Sequence, residues 1–180
     1  MAIVGFTQLA GASLYRSYQT EDGLSHNSVW AAMQDSRGFM WFGTNDGLNR
    51  FDGLNFKVYR RIDNDSLSLG NNFIHCLLES PGGDILVGTK EGLYSYRSDS
   101  DNFRHIPLDG HRFGDDRNSI HCLLLDKSGH LWVGCYGQGI YCLDSDLKVI
   151  KHFGDKNMPS RFVTAMALDI SGAIWVGTDN

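Results

Sequence analysis

Apolar residues in this chain come in short blocks and never at the 3.6-residue interval of an amphipathic helix. Val29-Trp30-Ala31-Ala32-Met33-Gln34 is apolar almost throughout. Ile74 to Glu79, Ile120 to Leu125 and Val163 to Leu168 echo it. Runs that are apolar on both faces predict an innermost strand packed between neighbouring units. Phe56 to Tyr59, Phe103 to Ile106 and Val149 to Phe153 alternate apolar and polar positions instead, which suits an outer strand with one wet face. Between the two kinds of block, Phe39 to Gly43 and Leu48 to Phe51, with their copies, supply a second and a third strand. Each unit therefore holds four short strands.

The units repeat at a fixed period. Gly38, Gly83, Gly129 and Gly172 are spaced by 45, 46 and 43 residues, and Trp41, Leu86, Trp132 and Trp175 keep the same spacing. A period in the forties with about four strands per unit is that of a propeller blade, whereas helical repeats of similar length need amphipathic stretches that are absent here. Turn chemistry agrees. Asp35-Ser36-Arg37-Gly38, Asp126-Lys127-Ser128-Gly129 and Asp169-Ile170-Ser171-Gly172 begin with an Asp that can bond the backbone and end with a Gly that accepts positive φ. Gly47 and Gly92 close the second hairpins, and Gly43, Gly88, Gly134 and Gly177 end the second strands. Tyr136-Gly137-Gln138-Gly139 is one residue longer, which predicts a bulged hairpin. All of these are blade-building residues, not catalytic ones.

The expected fold is all-β: a β-propeller fragment of about three and a half four-stranded antiparallel blades plus one N-terminal overlap strand. The blades are placed at about 27–60, 72–106, 118–153 and, incomplete, 161–180. Leu14 to Tyr18 reads as a fourth strand without its first three, and the last blade stops after two strands. A propeller needs roughly four to eight blades that contact only their neighbours. The chain is therefore expected to be part of a longer propeller, with open edges that favour self-association. Residues 1–13 read as an irregular start or a remnant of a secretory signal, since Ala10-Gly11-Ala12 resembles a cleavage site but a basic start and long apolar run are missing.

Composition changes this picture little. The chain of 180 residues carries 21 Gly, 3 Pro and a net charge of -5, with its basic residues scattered. That excludes a nucleic-acid surface, and no apolar run approaches the roughly 20 residues of a membrane span. Cys76, Cys122, Cys135 and Cys142 show no metal-ligand spacing. Cys76 and Cys122 sit at matching positions and read as small core residues. With a turn at Tyr136 to Gly139, Cys135 faces Ile140 and Cys142 faces Val133, too far apart in the ladder for a disulfide.

No catalytic motif, metal site or cofactor site is expected. Asp63 to Ser68 begins like a calcium loop but has Leu67 where a ligand is required. His75 and His121 share a register with Trp30 and Thr164 and read first as packing. A sialidase-type enzyme is disfavoured because two residues, not one, separate Asp from Gly in the turns. A binding surface can still be placed where the loops from fourth to first strand meet those between second and third. It gathers His26, Asn45, Asp46, Lys90, Glu91, His111, Arg112, Tyr136 and Gln138, a mixture of rings, amides and carboxylates that suits an oligosaccharide.

Thr20 to Val29 followed by Asp35 to Gly53 resembles the two-component regulator propeller repeat, and the likeness extends over nearly the whole chain from Leu14. The second copy departs from it at Pro81-Gly82 and Leu86. More narrowly, the resemblance is to the N-terminal opening of the periplasmic sensor region of a hybrid histidine kinase/response regulator. It implies the remaining blades as partners, glycan fragments as input and control of polysaccharide-utilisation genes as output, with no catalysis in this segment. The alternatives are a piece of a propeller glycoside hydrolase or lyase, or a stand-alone protein-interaction propeller.

Overall fold

Each repeat folds into an antiparallel meander because turn-forming Asp and Gly punctuate it every few residues. The computed structural model describes residues 3–9, 12–108 and 116–179. Strands β1 (Ile3–Leu9) and β2 (Ala12–Tyr18) form a hairpin of their own. Blade one comprises β3 (Val29–Gln34), β4 (Met40–Thr44), β5 (Gly47–Phe51) and β6 (Phe56–Tyr59). Blade two comprises β7 (Ile74–Glu79), β8 (Ile85–Thr89), β9 (Gly92–Arg97) and β10 (Asn102–Ile106). Blade three comprises β11 (Ser119–Leu125), β12 (Leu131–Tyr136), β13 (Gly139–Leu143) and β14 (Val149–Phe153). Strands β15 (Phe162–Leu168) and β16 (Ile174–Asp179) form the first half of a fourth blade, which packs on blade three and joins its strand ladder at the pair Tyr136 and Phe162. This is an all-β propeller architecture, and no helix among the described residues is long and apolar enough to cross a membrane.

Three features differ from the sequence reading. The opening segment is not irregular at 3–9: it pairs with β2, so the strand read as lone is half of a hairpin. Tyr18 then packs on Phe51 and Phe56 of blade one, with ring centroids 5.0 and 5.7 Å away. Second, the innermost strands are only partly buried, while the second and third strands of each complete blade form the core. The first strands lie beside one another around the propeller axis, where their edges stay open. Third, the turn of blade three spans three residues, 136–138, and not four, so that Cys135 opposes Gly139 and Cys142 opposes Trp132. All four thiols are free, and burial pushes each of them above its ordinary value.

Successive blades meet so closely that one glycine per blade has no alternative. A Cβ on Gly43 would lie 2.6 Å from Ile74, one on Gly88 2.9 Å from Ile120, and one on Gly134 2.8 Å from Val163. The first strand of the next blade thus seats on the second strand of the one before, through a gap that only Gly leaves.

The space between blades one and two is aromatic. Trp41 stacks on Tyr59 at 6.1 Å and meets Tyr96 at 4.9 Å, and Phe103 closes the cluster. All four are buried, each contributing about 1.5–3 kcal/mol by burial alone. Asp101 completes it from the rim. Its Oδ1 accepts from the Tyr59 hydroxyl at 2.8 Å and the Tyr96 hydroxyl at 2.7 Å, and Lys57 binds its other oxygen.

Candidate ligand site at the propeller axis

The turn motif settles what the repeated Asp and Trp do. In blade one, Asp35 Oδ1 accepts the N–H groups of Arg37 and Phe39, while Oδ2 accepts the Trp41 indole N–H at 2.9 Å. Asp126 holds Ser128, His130 and Trp132 in the same way, and Asp169 holds Ser171, Ala173 and Trp175. Burial pushes the Asp126 carboxyl up, but these donors outweigh it and hold the group at about 2; for Asp169 the donors from Ser171 and Trp175 lead, again to about 2. Asp35 is lowered by the same set against its burial. Blade two has Ser80 and Leu86 in these places, so both members of the pair change together.

The chemistry of the axis comes from a second repeated device. In all four first strands the register slips by one residue, between Val29 and Ala31, Ile74 and Cys76, Ile120 and Cys122, and Val163 and Ala165. The extra residue is Trp30, His75, His121 or Thr164. A bulge leaves that residue out of the ladder and re-aims its side chain. The result is a stripe of rings that crosses the blades. Trp30 lies 5.6 Å from Phe73, Phe73 4.5 Å from His75, and His75 4.5 Å from His121. His121 stacks on Tyr136 at 4.8 Å and 16°, and Tyr136 lies 5.2 Å from Phe162. Trp30 is 59% exposed, so the stripe opens to solvent at that end. At the other end Phe162 joins Ser160, Arg161 and Thr178 around a cavity of about 570 Å³.

Polar partners are interleaved with the rings. Asn45 Oδ1 accepts the Trp30 indole N–H, Ser119 Oγ meets His75 Nε2 at 3.1 Å, and the Tyr136 hydroxyl donates to Asp179 at 3.0 Å. Burial, with His121 and Lys90 adding to it, pushes His75 down to about 4. Burial also lowers His121, against the pull of Asp179. Both imidazoles are therefore neutral near pH 7, and the stripe is an uncharged surface of rings edged by an amide, a hydroxyl and a carboxylate. Such a surface can stack on an apolar ring face and bond to its hydroxyls.

Of the residues picked out by sequence, Asn45 and Tyr136 lie in the stripe, and the Lys90 cation acts on His75 from beside it. Asp46 is held by Arg60 at 3.0 Å and Asn72 at 3.2 Å, Glu91 by Asn71 at 3.1 Å, and Gln138 by Asn118 at 3.1 Å, so these fasten hairpins to neighbouring loops. His26 accepts the Ser28 N–H at 2.9 Å inside its own turn. His111 and Arg112 lie outside the described residues. Phe73 and Phe162 went unnoticed in the sequence reading, although each immediately precedes an apolar first-strand block. In the Asp63 to Ser68 loop, Asp65 caps the Leu67 N–H at 2.9 Å. Among the described residues no three His, Cys, Asp or Glu side chains are grouped to hold a metal.

The two-component regulator propeller model matches residues 23–46, 114–137 and 157–180. Three stretches of the chain are thus similar to the two-component regulator propeller repeat. The matched stretches fall on blades one, three and four, the three that keep the Asp–Trp pair. Over 56 residues the chain is 48% identical to histidine kinase P4 of Formosa agariphila, a match covering 31% of this chain and 4% of that protein. The extracellular domain of the proposed hybrid two-component system BT3049 from B. thetaiotaomicron superposes with a TM-score of 0.79 at 26% identity, over 91% of this chain and 24% of that one. A virginiamycin B lyase from Staphylococcus aureus, solved with quinupristin, superposes at 0.65 and 12% identity over 99% of this chain and 54% of that one, a likeness of fold alone. The chain thus spans a small part of the sensor proteins it matches. It is a propeller segment similar to part of the extracellular domain of such a system.

Proposed function

We propose that this propeller segment belongs to the periplasmic sensor region of a hybrid two-component regulator and that it recognises glycan fragments, without catalysis of its own. One observation carries the reading: the bulged Trp30, His75 and His121, together with Phe73, Tyr136 and Phe162, build a neutral, partly exposed ring stripe, with Asn45, Ser119 and Asp179 at its edge. Sugars present apolar ring faces and equatorial hydroxyls, and this is the complementary surface. Control of polysaccharide-utilisation genes would follow through kinase and receiver domains elsewhere in the parent protein. The exposed Trp175 and Val176 face of the half blade would be covered by a further blade, and this chain alone is expected to self-associate through it; a monomer by light scattering would count against that.

Calorimetric titration with oligosaccharides of defined linkage tests the ligand. Saturable binding without turnover is expected, and Trp30→Ala should weaken it by about 1–2 kcal/mol, the loss typical of an exposed aromatic anchor. Binding indifferent to Trp30 and His121 substitutions would refute the stripe as the site. Steady product formation would replace the sensor reading with that of a glycan-cleaving propeller.

A further inference from the structure

The loop from β6 to β7 is built around its own hydrogen bonds and fastened to the outer half of blade two. Ser68 Oγ accepts the Ile62 N–H at 2.9 Å and donates to the Asp65 carbonyl at 2.9 Å. The Asp65 N–H returns to the Ile62 carbonyl at 3.2 Å, and the Leu67 carbonyl accepts the Phe103 N–H of β10 at 2.8 Å. Ser68 and Leu69 are buried beneath it. Between this loop and the facing pair Tyr94 and His105, on β9 and β10, lies an open pocket of about 430 Å³. Tyr94 is 4% exposed, and its phenol ends against Gly70 at the pocket wall, where a Cβ would lie 1.7 Å from the hydroxyl oxygen. Only glycine leaves the phenol that position. Among the described residues the Tyr94 hydroxyl has no hydrogen-bond partner, and neither have the His105 ring nitrogens, the Asn64 amide or the Ser66 hydroxyl, all on the wall of the same pocket. Buried polar groups are as a rule paired, so an unpaired phenol at a pocket wall points to a ligand.

We propose that this pocket binds a neutral, hydroxyl-rich ring, a single pyranose unit, at a site separate from the axial stripe. The charged side chains of its wall are engaged within the loop. Arg61 pairs with Asp63 at 3.3 Å, and Asp65 Oδ1 accepts the Leu67 N–H at 2.9 Å. What remains is a phenol, an imidazole, an amide and a hydroxyl, each of which can both donate and accept. Contact with Tyr94, whose ring centroid is 5.1 Å away, partly buries the His105 imidazole and holds it below its ordinary value, so it is neutral near pH 7. Sugar hydroxyls have the same double capacity. A phosphate or carboxylate would use only the donors and would face the second oxygen of Asp65. The exposed Ile62 side chain supplies an apolar wall for the C–H face of the ring. The volume lies at the small end of the range for ligand pockets, which suits one ring and not a chain. The pocket shares no residue with the stripe, so it stands or falls apart from the reading of the axis.

The test is an NMR titration of the chain with the methyl glycosides of glucose, galactose and mannose, and with glucuronate as their charged counterpart. It follows the Ile62 methyls, the His105 ring C–H signals and the Trp30 indole N–H. Saturable shifts at Ile62 and His105 are expected with at least one neutral glycoside, and weaker binding with glucuronate. Tyr94→Phe removes a hydroxyl that has no partner in the free protein, so it should keep or raise Tm while weakening binding about tenfold. Trp30→Ala should leave binding at this pocket unchanged. No saturation with any of the three glycosides, glucuronate bound as tightly as they are, or affinity unchanged in Tyr94→Phe would overturn the proposal. Shifts confined to Trp30 would overturn it too, while leaving the stripe in place. The map on the native chain decides the location even if the variant fails to fold.

Discussion

Asp35 and Trp41 should be energetically coupled, and a double-mutant cycle on blade one measures it. Asp35 is buried and Trp41 is fully so. Asp35→Ser removes the acceptor of the indole N–H at 2.9 Å and one of the two caps of the turn. An unpaired buried donor costs about 1–3 kcal/mol. Trp41→Leu removes the ring that stacks between Tyr59 and Tyr96. Full truncation of such a residue costs about 3–5 kcal/mol, and leucine refills part of the space, leaving about 2–4. In the double variant neither partner is orphaned, because Ser can cap the turn alone, as Ser80 does by accepting the Asp84 N–H. The pair should therefore cost less than the sum of the singles by about 1–2 kcal/mol. Urea unfolding followed by circular dichroism gives each stability, with the slope m checked for constancy across the four proteins. Additivity within about 0.5 kcal/mol would refute the reasoning. As an internal control, the same cycle at Asp169 and Trp175 should show much smaller losses, because Trp175 is 68% exposed.

Three further outcomes follow from the geometry. His75 is held at about 4, below its ordinary 6.5, so the unfolded chain takes up a proton there first; this part of the stability is complete above pH 6.5 and is lost between 6.5 and 4, to the extent of about 1–3 kcal/mol. His75→Gln should flatten that window, whereas a wild-type melting profile already flat from pH 6.5 to 4.5 would contradict it; Asp126 and Asp169, held near 2, act only below pH 4. Gly88→Ala should destabilise by about 1–3 kcal/mol by pressing on Cys76 and Ile120, while Gly177→Ala, whose nearest neighbour atom would be 3.5 Å away, should change urea midpoints little. Asp101→Ala leaves the buried Tyr59 and Tyr96 hydroxyls without their shared acceptor and should cost about 1–3 kcal/mol, a loss that equal chemical-denaturation midpoints would disprove.

The blades were legible because repetition multiplies weak signals: one Asp-x-x-Gly turn says little, but the same turn in phase with a Trp three residues on fixes the period and the strands. The Asp–Trp bond went unread, although two linked absences carry it. The copy that lacks Asp at Ser80 also lacks Trp at Leu86, and a carboxylate and an indole that vanish together are partners. The bulge was harder. His75 and His121 stood out at matching positions, but an extra residue in a strand shows only when the partner strand is counted against it. The pairing of Cys135 and Cys142 was misplaced by one because the turn was read as Tyr136 to Gly139, whereas Gly139 already pairs with Cys135.

The bulge has an evolutionary consequence. Its residue makes no ladder bond, so Trp30, His75, His121 and Thr164 can be exchanged without disturbing strand pairing or the glycine-mediated seating of blade on blade. Each repeat offers the axis one letter of a short, independently editable word. A propeller built this way can change what it recognises one blade at a time while its scaffold stays still.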